Sequence, residues 1–398
     1  MSTDVFLYVQ HLLGIGHLRR ASLLAKAMNK KGLNVLFVTG GRPVPNLDVG
    51  EVELCQLPPL HAADDSFKVL MNIENQVVDD SWKEKRKDIL LQKFNEADPK
   101  MLLLEMFPFG RRQMRFELDP LISLAKEKGI PIVTSIRDIL TTHKTPGKGE
   151  WIIDRVKKDI DHVLVHGDSS FIPLEASFPL ADQLADKISY TGYVVESDTG
   201  NLACSTEQER SPRHGVLVSA GGGAVAQPLA EAVLHAKELS KLKDVPWRLL
   251  LGNNLPEEDF KAITDRAPKG MTVERNRPDF QRLLKASQLS ISQAGYNTVL
   301  EILTTSTPAI VVPFSADTQS EQTARAEKLE KLGALKVISE KLLSPTYLAQ
   351  AIDAMVGDAT TGHPVNKVDI RMNGAENSAN IVYKMIQAQN TRESNARG

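Results

Sequence analysis

Four short stretches of the chain combine residue types and spacings that could do chemistry. In Leu12-Leu13-Gly14-Ile15-Gly16-His17-Leu18-Arg19-Arg20 a histidine follows a tight glycine turn. An imidazole there is a candidate general base, since it titrates near neutrality. Ser219-Ala220-Gly221-Gly222-Gly223 offers three glycines whose backbone N–H groups could approach an anion closely. Gln293-Ala294-Gly295-Tyr296-Asn297-Thr298-Val299-Leu300-Glu301 puts short polar residues at a helix start, and Glu301 on the same helical face as Asn297. A carboxylate there could accept two hydrogen bonds from vicinal hydroxyls, as a ribose presents them. Asp317-Thr318-Gln319-Ser320-Glu321-Gln322 clusters carboxylates and amides that suit a hydroxyl-rich ligand.

Each stretch also has a plainer reading. His17 could bond its own loop, the three glycines could be a flexible turn, and Asn297 could simply cap a helix. What argues for chemistry is placement. Each stretch follows an apolar run that reads as a strand, and open α/β sheets bind ligands at the carboxyl ends of their strands. At a helix start, partial positive charge would also disfavour the imidazolium.

The strand expectations are Val5–Gln10, Asn34–Thr39, Met101–Glu105, Ile130–Ser135 and His162–His166, then Gly215–Ser219, Trp247–Leu251, Met271–Val273, Leu289–Ser292, Ala309–Pro313 and Ala334–Ile338. Helical patterns alternate with them, as over Arg20–Lys31, Asp119–Lys128, 226–240, 278–286, 297–305 and 320–331. Alternation with near-continuous apolar strands predicts parallel sheets covered on both faces, an α/β class. The pattern relaxes at about 195–213, which is polar and carries Pro212. This predicts an N-terminal Rossmann-like domain over 1–200, a linker over 201–213, a C-terminal domain over 214–372, a helix over 373–390 and a disordered tail over 391–398.

Composition narrows the function. With 398 residues, 42% hydrophobic and 25% charged, the chain reads as a soluble globular protein, and its net charge of −2 argues against a nucleic-acid binder. The basic runs Lys83–Lys87 and Arg111–Arg115 read as solvated helix faces, with an anionic partner as the alternative. Cys55 and Cys204 make neither a disulfide framework nor a zinc spacing, which suits a cytoplasmic location. No signal peptide or membrane-spanning stretch is predicted, which still leaves room for peripheral membrane contact. A nicotinamide fingerprint fails twice: Arg19 stands where its third glycine belongs, and the second strand ends in Thr39-Gly40-Gly41 without the ribose-binding acid.

The segment 292–334 resembles the donor-binding region of nucleotide-sugar glycosyltransferases of the GT-B fold, two doubly wound Rossmann-like domains facing across a cleft. It is similar to glycosyltransferase family 28, the family of the peptidoglycan N-acetylglucosaminyltransferase. More distantly it is similar to UDP-glycosyltransferases, whose His-Cys-Gly-Trp-Asn-Ser-x-x-Glu signature takes the place of Gln293–Glu301. Thr307-Pro308-Ala309-Ile310-Val311-Val312-Pro313-Phe314, Glu321-Gln322 and Arg325-Ala326 continue the resemblance, and Gly14-x-Gly16-His17 matches the family's N-terminal glycine-His loop. The layout covers both halves, but specific motifs cover only about 60 residues. Glu105-Met106-Phe107-Pro108-Phe109-Gly110-Arg111-Arg112 resembles a feature of a bacterial group of predicted glycosyltransferases.

Carried over, the resemblance implies an N-terminal acceptor domain and a C-terminal UDP-sugar donor domain. Glu301 would grip the ribose, Thr298 and the Gly221–Gly223 turn with Ser219 the diphosphate, and Glu321 and Gln322 the sugar. Asn276 and Arg277 would frame the base, and Gly14, Gly16, Gln293, Gly295 and Asn297 complete the donor motifs. His17 would deprotonate an acceptor hydroxyl for inverting transfer, oriented by Glu105 or Asp138. Gln293 replaces the signature histidine, and the turn at Ser219 lacks the family 28 Gly-Gly-Ser-x-Gly pattern. Neither metal nor cofactor is expected. A nucleotide-sugar hydrolase in which His17 activates water is the alternative, and a nucleotide-sugar-binding protein without turnover is a third.

Overall fold

The computed structural model describes residues 2–45, 47–64, 67–140, 146–196, 212–220, 226–252, 255–314, 321–357, 366 and 368–397. It divides into two compact units, 1–196 with 370–398, and 197–369.

The first unit begins β1 (Val5–Val9), α1 (Gly16–Lys30), β2 (Val35–Thr39), β3 (Glu53–Gln56), β4 (His61–Ala62), β5 (Leu70–Met71) and α2 (Asp80–Ala97). It continues β6 (Met101–Glu105), α3 (Arg115–Glu127), β7 (Ile132–Arg137), α4 (Lys148–Asp159), β8 (His162–His166) and β9 (Ile188–Tyr190). Seven strands form one parallel sheet in the order β3-β2-β1-β6-β7-β8-β9, and β4–β5 is a separate antiparallel hairpin. All five residues of β1 and of β6 are buried, the signature of strands covered on both faces. In α1 the buried Leu18, Ala21, Leu24, Ala25 and Met28 recur at helical spacing and seat the helix on the sheet.

The second unit runs β10 (Val216–Ser219), α5 (Ala226–Leu239), β11 (Trp247–Leu251), α6 (Glu257–Asp265), β12 (Met271–Arg275), α7 (Phe280–Ala286), β13 (Leu289–Gln293) and α8 (Tyr296–Thr305). It closes with β14 (Ala309–Val312), α9 (Glu321–Lys331), β15 (Lys336–Val337) and α10 (Pro345–Val356). Its six-stranded parallel sheet is ordered β12-β11-β10-β13-β14-β15.

The last helix, α11 (Gly374–Arg397), departs from expectation twice. It extends through residues read as a disordered tail, and it belongs to the first unit, packing on α1. Ala379, Val382 and Ile386 share a core with Leu18, Leu24 and Met28. The chain is held there by Asp168, whose carboxylate accepts the Arg371 backbone N–H at 3.0 Å and guanidinium N–H groups at 3.2 Å. Burial would raise that carboxyl group, but bonds from Arg371 and Ser170 outweigh it and hold it well below the usual range. The expected linker falls mostly on residues 201–211, outside those described.

A buried polar cluster braces the first unit. Arg86, fully buried, donates to Glu117 through Nε and Nη2 at 2.7 and 2.9 Å, to Gly40 O at 2.8 Å and to Gln10 Oε1 at 2.7 Å. Tyr8 donates its hydroxyl to Glu117. Arg86 therefore corrects the expectation that the Lys83–Lys87 run is wholly solvated. Gly40 is required for the approach, since a Cβ there would stand 2.2 Å from Arg86 Nη2 and from Gln10 Oε1.

Candidate active site

In the first sheet the strand order reverses between β1 and β6, and these neighbours end in the Gly14–His17 loop and Glu105. His17 is the second residue of α1, which starts at Gly16 after Ile15. Its Nδ1 lies 2.8 Å from Glu105 Oε1. Glu105 is buried, and a buried carboxylate must be paired. Arg20, one turn along α1, donates to the same Oε1, its Nη2 3.2 Å from His17 Nδ1.

Electrostatics follow from this packing. Burial pushes His17 down to about 4; Glu105 opposes the shift, whereas Arg111 and Arg20 add to it. Burial, rather than the helix start anticipated above, is thus the main cause. Burial alone would raise Glu105, but His17, Arg20 and Arg111 outweigh it and bring it to about 2. At neutral pH the pair is a neutral imidazole against a carboxylate. With Nδ1–H donated to Glu105, the basic lone pair lies on Nε2.

The His17 loop is braced from beneath. Gln10 donates Nε2 to the carbonyls of His11 and Leu60, both at 2.8 Å, and its own carbonyl accepts Arg111 Nε at 2.6 Å. Sequence reasoning missed Gln10 and Arg111 because both act through partners distant in the chain.

Asp138 does not join the pair. It accepts Tyr193 Oη at 2.8 Å, below the bend that follows β7. Of the two carboxylates considered for orienting His17, Glu105 is the one in contact. His166, buried between Ser135 Oγ and Thr191 Oγ1 at 2.9 Å each, is driven to about 3 by burial and by Arg20.

In the second sheet the order reverses between β10 and β13, whose register sets Ser219 beside Ser292. Gly221, Gly222 and Gly223 lie outside the described residues. Beyond β13, Gly295 is the extended N-cap of α8 and supplies no side-chain cap, with Val299 N donating to Gly295 O at 3.0 Å. Asn297, inside the helix, therefore does not cap it, and neither its side chain nor that of Thr298 makes a hydrogen bond among the described residues. The first-turn N–H groups lack intrahelical partners, which makes this helix start suited to an anion.

Glu301 is half-buried in the second turn of α8. Gln293 ends β13 and lines a shallow pocket with Leu229, Phe314, Glu340 and Leu343. Glu321 and Gln322 open α9, and Gln322 Oε1 accepts Phe314 N at 3.1 Å. The Tyr296 ring lies under the Arg325 guanidinium at 4.9 Å, which joins the starts of α8 and α9. Asn276 is exposed, while Arg277 is turned onto its own loop, its Nε and Nη2 donating to Asp279 at 2.8 and 3.1 Å.

Comparison with known proteins agrees with this architecture. The glycosyltransferase family 28 C-terminal domain matches residues 216–380. A UDP-N-acetylglucosamine–N-acetylmuramyl-(pentapeptide) pyrophosphoryl-undecaprenol N-acetylglucosamine transferase of Rhodopseudomonas palustris is 31% identical over 180 residues, 42% of this chain and 46% of the relative. An uncharacterized UDP-glucosyltransferase, YojK of Bacillus subtilis, is 23% identical over 61% of this chain and 57% of its own. The match thus spans about half the length of these relatives. Among solved structures, Acinetobacter baumannii MurG superposes with a TM-score of 0.61 at 16% identity, covering 96% of this chain and 99% of that one. The calicheamicin glycosyltransferase CalG4 gives 0.59 at 16% identity, with complete coverage of both chains. A UGT transferase from Siraitia grosvenorii in complex with UDP gives 0.60 at 17%, covering 96% and 100%. Two parallel sheets, each reversing strand order where its candidate residues lie, are the GT-B fold, and residues 216–380 match the C-terminal domain of glycosyltransferase family 28.

Proposed function

We propose that the chain is an inverting, metal-independent glycosyltransferase that moves a sugar from a UDP-sugar to an acceptor hydroxyl, with His17 as general base. The contact between His17 Nδ1 and Glu105 at 2.8 Å carries this reading, because it leaves Nε2 to accept a proton. As the acceptor oxygen bonds to the anomeric carbon, its proton passes to Nε2. The bond from that carbon to the β-phosphate oxygen breaks, and UDP leaves with the electron pair. One displacement inverts the anomeric configuration, and Glu105 stabilises the imidazolium that forms.

The donor side is supported by the family 28 match and by relatives named for UDP-sugars. In this chain the uncapped start of α8 and the Gly221–Gly223 turn would bind the diphosphate, Glu301 the ribose, and Glu321 and Gln322 the sugar. This assigns leaving-group stabilisation to backbone N–H groups rather than to a divalent cation.

The test is a thermal-shift comparison of UDP, dTDP, GDP and NAD, followed by UDP-release assays with and without EDTA. UDP should stabilise the protein, and His17→Ala should keep that shift while losing turnover. Stabilisation by NAD alone overturns the donor assignment, and loss of turnover in EDTA overturns metal independence. Equal UDP release with and without an acceptor makes water the nucleophile.

A further inference from the structure

Helix α1 buries a charged side chain beside the apolar residues that seat it on the sheet. Arg20 is buried alongside Leu18 and Ala21. A buried guanidinium must be paired, yet an ion pair inside a protein contributes little net stability, because desolvation of both charges offsets their attraction. Stability alone is thus a weak reason for an arginine at this position.

A stronger reason lies at Glu105 Oε1. That one oxygen accepts both Arg20 Nη2 and His17 Nδ1, the latter at 2.8 Å. Glu105 Oε2 is buried and accepts no hydrogen bond among the described residues. Arginine and histidine therefore converge on a single acceptor atom, with Arg20 Nη2 3.2 Å from His17 Nδ1. They converge because they lie three positions apart on one helix face, opposite a strand end fixed by the β1–β6 pairing. The carboxylate requires a hydrogen on Nδ1, so the two nitrogens meet as donor beside donor. Their approach is stable only while Oε1 carries negative charge to receive both.

Protonation of the imidazole changes this balance. An imidazolium spreads its charge over both ring nitrogens, and Nδ1 then brings positive charge within 3.2 Å of a guanidinium nitrogen. Arg20 thus acts in two ways on the ring. It anchors the oxygen that orients the imidazole, and it repels the charge the imidazole gains with a proton. The other groups that act on the pair are Arg111 beyond β6, which adds to the repulsion, and His166 on β8, which burial keeps neutral.

We propose that Arg20 is a positioning residue of the active site, which fixes Glu105 Oε1 for His17 and opposes positive charge on the imidazole. The catalytic consequence rests on His17 being the base. A base restrained in this way accepts a proton during transfer and releases it readily afterwards, which readies the site for the next acceptor.

The test is a pH titration of the histidine ring Cε1–H signals of the full chain by nuclear magnetic resonance, with His17 assigned by its absence from His17→Gln. In Arg20→Gln, which keeps a polar amide without charge, the His17 midpoint should rise by about 1–3 pH units. Arg20→Lys keeps the charge and should leave the midpoint near the parent's. A merely structural arginine would lower the melting temperature of Arg20→Gln and leave the midpoint in place, and that result overturns the proposal. So does a rise in Arg20→Lys equal to that in Arg20→Gln, since charge would not be its cause. Where Arg20→Gln strands the carboxylate and fails to fold, R20Q/E105Q leaves neither charge buried alone. Its His17 midpoint should lie above that of E105Q, and a midpoint no higher overturns the proposal. The acid limb of kcat/KM should follow the midpoint, with KM for the UDP-sugar unchanged. A midpoint that rises while the limb stays supports the hold of Arg20 on His17 and counts instead against His17 as the base.

Discussion

Nδ1 of His17 lies 2.8 Å from Oε1 of Glu105, across 88 positions of sequence. The contact exists because β1 and β6 are neighbours in the sheet, with Tyr8 beside Leu104, so both strands end at the same edge. Arg20 donates to the same oxygen, so a half-buried histidine meets a buried arginine and a buried carboxylate.

Glu105→Gln keeps the shape and removes the charge. It should lower kcat by about 10²–10⁴-fold while KM for the UDP-sugar stays near that of the parent. Glu105→Ala should additionally destabilise the protein by about 3–5 kcal/mol, because it removes the carboxylate from a buried ion pair with Arg20. Steady-state UDP release and denaturant unfolding check the two claims.

The pH dependence follows from His17, whose folded value falls from 6.5 to about 4. The proposed base is therefore neutral above about pH 4, and the acid limb of kcat/KM should lie near there rather than near 6.5. In E105Q that limb should move lower still, since Glu105 is what supports the imidazolium. For stability, a lowered folded value contributes above 6.5 and is lost as pH falls from 6.5 towards about 4. Stability should thus drop across that window, less steeply in His17→Gln. Glu105, with its folded value lowered from 4.5 to about 2, adds a further loss below pH 4.5.

Arg86 and Glu117 are both completely buried. Arg86→Met alone should cost about 3–5 kcal/mol, because it strands the Glu117 carboxylate. Arg86→Met with Glu117→Leu should cost less than the single change, yet remain below the parent, since the Gly40 carbonyl and Gln10 also lose a donor. Urea unfolding of the three variants orders them.

A substitution at Gly295 would test the proposed donor binding apart from folding. Its φ is −61°, and an added Cβ would meet nothing closer than Thr298 Oγ1 at 3.9 Å. Gly295→Ala should leave stability within about 0.5 kcal/mol. If a diphosphate approaches this helix start, the same methyl group should weaken UDP binding at least tenfold. Calorimetric titration with UDP, beside a thermal melt, measures both.

Periodicity alone was enough for much of this protein. Apolar runs such as Val5–Val9 and Leu289–Gln293 declare buried parallel strands, and the glycine turns after them mark where such sheets present functional groups. His17, Glu105 and the Gln293–Glu301 motif could be singled out because their signals are local. The hairpin β4–β5 was not singled out, because strands of two residues gain their structure from packing rather than pattern. Arg86 looked solvated within a basic run, since burial of a charge depends on a partner, Glu117, brought by another helix. The contact of His17 with Glu105 rather than Asp138 and the return of α11 to the first unit were likewise decided by tertiary structure. Each is a contact between residues far apart in the chain, set by strand order and burial, and neither is written into any local stretch.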